Sequence, residues 1–136
     1  MGLLYQDKTD KIIKIFFDVY NALGYGFLEK VYESALAIEL SKNGFNVKRQ
    51  CPVKVHYDGQ MIGEYYCDMV IDDLILIELK SVEALVIAHK RQTINYLKST
   101  ELEVALLLNF GDTPKFERFL FTNDRKPLLK QTNKNP

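Results

Sequence analysis

The chain has no tryptophan, only four prolines and only two cysteines in 136 residues. Cys51 and Cys67 are too few for a disulfide framework or a zinc ligand set, so small stapled folds and zinc modules are excluded. Neither sign of charge is in excess: eighteen basic residues balance eighteen acidic ones. A neutral chain exerts no global pull on a polyanion, so any contact with nucleic acid must come from local patches. Apolar runs such as residues 74–77 and 105–108 fall far short of the roughly 20 residues that cross a bilayer, and no membrane partner is expected. The first residues, MGLLYQDKTD, lack a basic start followed by an apolar stretch. No signal peptide is therefore expected, and the expected setting is the cytoplasm, with both thiols reduced.

What is present suits one globular unit: 47% of the residues are hydrophobic and 26% charged. No repeat or low-complexity tract interrupts it. The expected domain covers residues 7–129, and the basic stretch 130–136 reads as a disordered tail. Charge is uneven inside the domain. Residues 58–83 hold seven acids and a single base, Lys80, so carboxylates gather around one lysine in sequence.

Hydrophobic spacing orders the elements. Ile12, Ile13, Phe16, Val19, Tyr20 and Leu23 recur at helical steps, predicting a helix over residues 9–23, with Thr9 or Asp10 as cap and Gly24 as a glycine stop. A second helix is predicted over 29–43, ended by Gly44. The period then changes to two. Val47, Val53, Val55 and Tyr57 lead into Asp58-Gly59, a strong hairpin signal. Strands follow over 62–71 and 74–80, a helix over 86–98, and strands over 103–109 and 116–122. The order α, α, β, β, β, α, β, β predicts an α/β (α+β) sandwich on a small mixed sheet. The helix between the third and fourth strands makes a parallel crossover.

Two carboxylates stand out because they break apolar strands. Asp68 interrupts residues 66–71, and Glu78 lies two before Lys80, so those two share a strand face. Buried carboxylates cost several kcal/mol unless paired or bound to a cation. Hard cations such as Mg²⁺ or Mn²⁺ take oxygen ligands, often two carboxylates with water and substrate phosphate. A plain ion pair at a strand end explains the same spacing. Geometry separates the two readings. A two-residue turn at Asp72-Asp73 would set Asp68 opposite Ile77 and turn it away from Glu78. The metal reading needs an odd loop over residues 72–74, or a bulge.

Gly26-Phe27-Leu28-Glu29-Lys30-Val31-Tyr32 resembles the motif that names the GxxExxY proteins. The flanking Glu33-Ser34-Ala35-Leu36, Asp68, Glu78-Leu79-Lys80, Gln92 with Tyr96, and Leu107-Leu108-Asn109-Phe110 resemble that family too. The likeness runs from about Ile12 to Leu120. It implies a compact PD-(D/E)xK nuclease: an αβββαβ restriction-endonuclease-like core, here preceded by an extra helix, and metal-dependent cleavage of phosphodiester bonds. Carried over residue by residue, it puts Asp68, Glu78 and Lys80 in the catalytic set, with Glu29 assisting Asp68 and Glu78 in holding Mg²⁺ or Mn²⁺. Cys67 replaces the proline of the superfamily's name. Gln92 would hold the lysine or a phosphate, and Tyr96 would pack beside it.

Other readings of these residues stay open. Glu29, Tyr32 and Glu33 share one helix face, so Glu33 competes with Glu29 as the helix acid, and Glu29 also fits a simple N-terminal role. Lys90 and Arg91, with Lys48, Arg49 and Lys54, are candidate phosphate contacts. His89 lies one turn before Gln92. Tyr57, Tyr65 and Tyr66 are candidates to stack on the bases of a single strand. The expected partner is nucleic acid, DNA ahead of RNA. A homodimer would add binding surface, though no residue marks its interface. The competing function is a non-catalytic nucleic-acid-binding or protein-interaction module that keeps the nuclease fold.

Overall fold

The computed structural model describes residues 3–132. Helix α1 (Gln6–Leu23) buries Ile12, Phe16 and Val19 of the stripe its spacing predicts, together with Ile15, while Ile13, Tyr20 and Leu23 are half-buried. It starts three residues earlier than expected, and Thr9 does not cap it. Thr9 is buried inside the helix and donates to the Gln6 carbonyl at 3.1 Å. The Gln6 side chain instead accepts the Leu3 N–H at 3.1 Å. Gly24 ends α1 at φ 75°, ψ −169°, a region open essentially to glycine alone.

Helix α2 (Glu29–Lys42) closes with the paired bonds of a Schellman motif. Phe45 N–H reaches the Leu40 carbonyl at 3.2 Å and Gly44 N–H the Ser41 carbonyl at 3.1 Å.

Strands β1 (Val47–Tyr57) and β2 (Gln60–Ile71) form the expected hairpin. Asp58 and Gly59 both have positive φ, 53° and 76°, as a primed two-residue turn requires. Strand β3 (Ile75–Lys80) pairs antiparallel with β2. Helix α3 (Ile87–Lys98) crosses over to β4 (Val104–Phe110), which lies parallel to β3. Strand β5 (Pro114–Leu120) pairs antiparallel with β4. The sheet order is β1-β2-β3-β4-β5. All of β4 and nearly all of β3 are buried, as their unbroken apolar runs predict for central strands.

Helices α1 and α2 cover one face of the sheet through Phe16, Leu36, Leu40, Met69, Ile77 and Leu108. Helix α3 covers the other through Val53, Cys67, Leu76, Tyr96, Leu97 and Ala105. This is the sandwich that the sequence predicts, with the βββαβ run as its centre.

A 3-10 turn (Asn123–Arg125) and helix α4 (Pro127–Thr132) follow. Lys126 is fully buried there and donates to the carbonyls of Thr100 (2.8 Å) and Leu102 (2.6 Å). The expected disordered tail is corrected in part. Residues 130–132 belong to α4, while residues 133–136 lie outside the described residues.

Candidate active site

The β2–β3 connection decides the site. The ladder pairs Ile71 with Ile75, Val70 with Leu76 and Met69 with Ile77. The loop is therefore the three residues Asp72, Asp73 and Leu74, the odd loop that the metal reading requires. Asp72 and Asp73 both sit at left-handed φ, 54° and 55°, which Asp tolerates better than most residues. The Asp72 carboxylate fixes the corner by accepting the Asn46 N–H at 2.8 Å and pairing with Lys8 at 2.6 Å. Lys8 holds the Asp72 carboxyl below its usual range.

The next pair along the register is Asp68 and Glu78, and there side chains replace the ladder. Asp68 N–H donates to Glu78 Oε1 at 2.9 Å, and Leu79 N–H donates to Asp68 Oδ2 at 2.7 Å. Each carboxylate is thus held by the backbone beside the other acid. Glu78 is only 4% exposed. Burial, and then the Asp68 charge, push its carboxyl up to about 8. Burial raises Asp68 as well, against the Leu79 N–H bond that favours its charged form.

A break in strand alternation marks the same place. Cys51 and Cys67 pack on the α3 side, whereas Val47, Met69 and Ile71 pack on the α1–α2 side. Both strands change face between these residues. The pair skipped in the β1–β2 register is Gln50 and Asp68, and Gln50 has φ 51°. Such a kink re-aims side chains at one point in a sheet. Gln50 is a residue that sequence reasoning missed. Its amide donates to Glu33 Oε1 at 2.9 Å and also bonds the Asp68 carboxylate.

The two helix acids separate. Glu33 is buried and occupied, with Arg49 at 2.7 Å and Gln50 on its two oxygens. It therefore ties α2 to β1. Glu29 is exposed at the first turn of α2, and the helix start has no side-chain cap bond. Partial burial and the Asp68 charge raise the Glu29 carboxyl, while Lys80 opposes them.

Tyr32 fixes the loop that leads into α2 at Glu29. Its buried hydroxyl donates to the Gly24 carbonyl at 2.5 Å and accepts the Phe27 N–H at 3.3 Å, and its ring stacks on Phe110 at 4.4 Å. Ser81 Oγ, just past Lys80, donates to the Phe27 carbonyl at 3.1 Å. The loop before α2 is thereby pinned to the end of β3.

Lys80 ends β3, two residues beyond Glu78 on the same face, and its charge acts on Asp68, Glu78 and Glu29. The strand exit is clamped by buried Asn109, whose amide donates to the Val82 carbonyl (2.9 Å) and accepts the Val82 N–H (3.1 Å). A side chain at Gly111 would approach that same carbonyl to 2.3 Å, so glycine is required there.

The sequence matches the PD-(D/E)XK nuclease superfamily over residues 6–119. The chain belongs to that superfamily. The crystal structure of a protein named SSO0001 superposes with a TM-score of 0.56 at 19% identity, covering 76% of this chain. At that identity the likeness is one of fold, and this chain spans 55% of that protein's length. No curated protein matches the sequence. Superfamily members are usually nucleases and typically use divalent metals such as Mg²⁺. No helix is long and apolar enough to cross a membrane among the described residues.

As a PD-(D/E)XK chain, the protein offers a donor set that suits such an ion. Two hard carboxylates are held side by side with their charge incompletely offset, which favours a cation. Among the described residues no three His, Cys, Asp or Glu side chains form a ligand set by themselves. Mg²⁺ keeps several waters and commonly takes one or two protein carboxylates, so a third is not needed.

The α3 residues divide. Gln92 and Tyr96 line one wall of a groove, with Arg91 beside them. Burial and the nearby Glu78 charge push the Tyr96 hydroxyl up to about 12. Lys90 turns away and pairs with Glu117 of β5 at 3.2 Å. His89 accepts the Val86 N–H through Nδ1 at 3.2 Å, so it caps the start of α3.

Proposed function

We propose that the protein is a metal-dependent nuclease of the GxxExxY branch, hydrolysing phosphodiester bonds of DNA ahead of RNA. The reading rests on one observation above the others: the three-residue loop that sets Asp68 opposite Glu78 at the foot of Lys80. Asp68 and Glu78 would hold Mg²⁺ or Mn²⁺, with Glu29 assisting from α2. When bound, the cation offsets the two negative charges and polarises the phosphodiester toward attack by water. Lys80 orients that water and steadies the negative charge that develops at phosphorus. Gln92 holds the Lys80 ammonium or a phosphate oxygen through its amide, and Tyr96 packs beside the reacting nucleotide.

Arg91 and Lys90 meet the flanking phosphates. Lys90 must leave Glu117 to do so. A half-exposed pair of this kind is worth at most about 1 kcal/mol, so a phosphate competes with it readily. The reduced thiols of Cys51 and Cys67 suit a cytoplasmic nuclease. A homodimer would give it a wider nucleic-acid surface.

The test is cleavage of labelled single- and double-stranded DNA and RNA in Mn²⁺, Mg²⁺ or EDTA. Lys80→Ala and Asp68→Asn are run beside the wild type. Cleavage should require metal and fall about 100-fold or more in each variant, with folding retained. No cleavage of any substrate, together with a melting curve blind to Mn²⁺, assigns the chain to the other reading, a non-catalytic binding module on the nuclease fold.

A further inference from the structure

The hairpin of β1 and β2 outruns its neighbour. Strand β3 pairs only with residues 69–71 of β2, so residues 60–67 of β2 project beyond it together with their β1 partners. Helix α3 faces this overhang, and the two enclose a cavity of about 650 Å³. Its walls are Tyr65 and Val55 from the hairpin and two stripes of α3, Gln92 with Tyr96 and Ile87 with Arg91. Tyr65 stands on β2 three residues before Asp68, so the groove lies along the same strand as that acid.

Tyr96 belongs to the core at the floor of this groove, but what rises around it is left uncovered. The Tyr65 and Tyr96 rings lie 5.9 Å apart at 37°, and Tyr65 remains 51% exposed. Ile87 is 72% exposed on the opposite wall. The amides of Gln92 and Asn95 open into the cavity, and its charged lining residues, Arg91 and Lys98, are both cations.

Aromatic and aliphatic walls, amides and cations without an acid form a surface for an unstacked base with its phosphates. A base inside a duplex has both faces covered and cannot enter. A neutral chain also has little charge with which to hold a duplex by its phosphates. Base stacking supplies what that field does not.

We propose that this groove binds a single strand of nucleic acid, with one unpaired base stacked on the exposed ring of Tyr65 and its backbone held by Arg91 and Lys98. The strand then runs along α3 to the Asp68–Glu78 pair. The inference deepens the nuclease reading by naming its substrate as single-stranded or locally unpaired.

The experiment measures binding apart from cleavage. Fluorescence anisotropy in EDTA follows a short labelled oligothymidylate, its RNA counterpart oligouridylate, and a duplex of the same length. Wild type, Tyr65→Ala and Tyr65→Phe are compared. Tyr65 lies on the exposed hairpin, and matched melting curves would show that the variants fold.

The single strands should bind more tightly than the duplex. Tyr65→Ala should weaken them about tenfold, and Tyr65→Phe should bind as wild type does. The ratio of the two single strands assigns DNA or RNA. Equal binding of duplex and single strand, or a Tyr65→Ala variant that binds as wild type does, overturns the inference.

Failure here is separable from failure of the nuclease reading. Metal-dependent cleavage of duplex that ignores Tyr65→Ala sinks the groove and keeps the nuclease. Tyr65-dependent binding of single strands without cleavage keeps the groove and sinks the nuclease.

Discussion

Ionised Glu78 works against the folded state in the metal-free protein. Its folded carboxyl sits at about 8, above the ordinary glutamate range, because burial and Asp68 both disfavour the charge. The folded state therefore binds this proton more tightly than the unfolded chain does. The associated stability is full below the ordinary range and is lost as pH rises through about 8. Urea denaturation in EDTA should show stability falling by a few kcal/mol between about pH 5 and about pH 9, and Glu78→Gln should flatten that fall. An equally steep fall in the variant would mean that another group carries it.

Asp68 and Glu78 were legible in the sequence because each interrupts an apolar strand, where a charge is costly, and Lys80 because it follows Glu78 by two at the strand end. Gln50 was not. It is one polar residue among several in a period-two strand, and its role depends on a left-handed φ and on two acids from other elements. Thr9 misled for a related reason. A residue suited to capping was present, but Gln6 and the turn before it had already started the helix.

The loop of Asp72, Asp73 and Leu74 is the element on which the site depends. Deleting Asp73 would leave two residues and move Asp68 from opposite Glu78 to opposite Ile77. Because a one-residue slip exchanges the faces of a strand, the acids would part and apolar side chains would be misplaced. The deletion should therefore abolish metal-dependent cleavage and lower the melting temperature sharply. Asp73→Gly keeps the loop length and suits φ 55°, and it loses only an exposed pair with Lys48, so it should keep both activity and stability. A deletion variant that folds and cleaves as wild type does would show that register is not what assembles the site.

The sequence signalled a turn here through Asp72-Asp73 but not its length. Two residues and three fit the same letters, and only the ladder tells them apart. The elements themselves were legible wherever apolar period and glycine stops agreed, as in α2 and the Asp58-Gly59 hairpin. Helix α4 was not, since six residues give too little period to read against a basic background.

For the whole molecule, zero net charge limits what holds a substrate. On the proposed reading, affinity comes from a few local cations, from stacking and from a metal rather than from a global field. The layer order was legible because alternating and helical periods succeed one another cleanly along the chain. The groove was not, because it forms where a hairpin outruns its sheet neighbour and a later helix crosses beneath it. That juxtaposition leaves no spacing in the sequence. Lys126 is likewise a buried link that no spacing marks, tying the turn before α4 to the α3–β4 connection.

The central claim is that Asp68 and Glu78 form one divalent-metal site. Calorimetric titration of the wild type, Asp68→Asn and Tyr65→Phe with Mn²⁺ tests it without any substrate. The account predicts saturable binding in the wild type and in Tyr65→Phe, a melting temperature that rises with Mn²⁺ in both, and loss of binding and of that rise in Asp68→Asn. Mn²⁺ binding that survives Asp68→Asn unchanged, or a wild type that binds none, would contradict it.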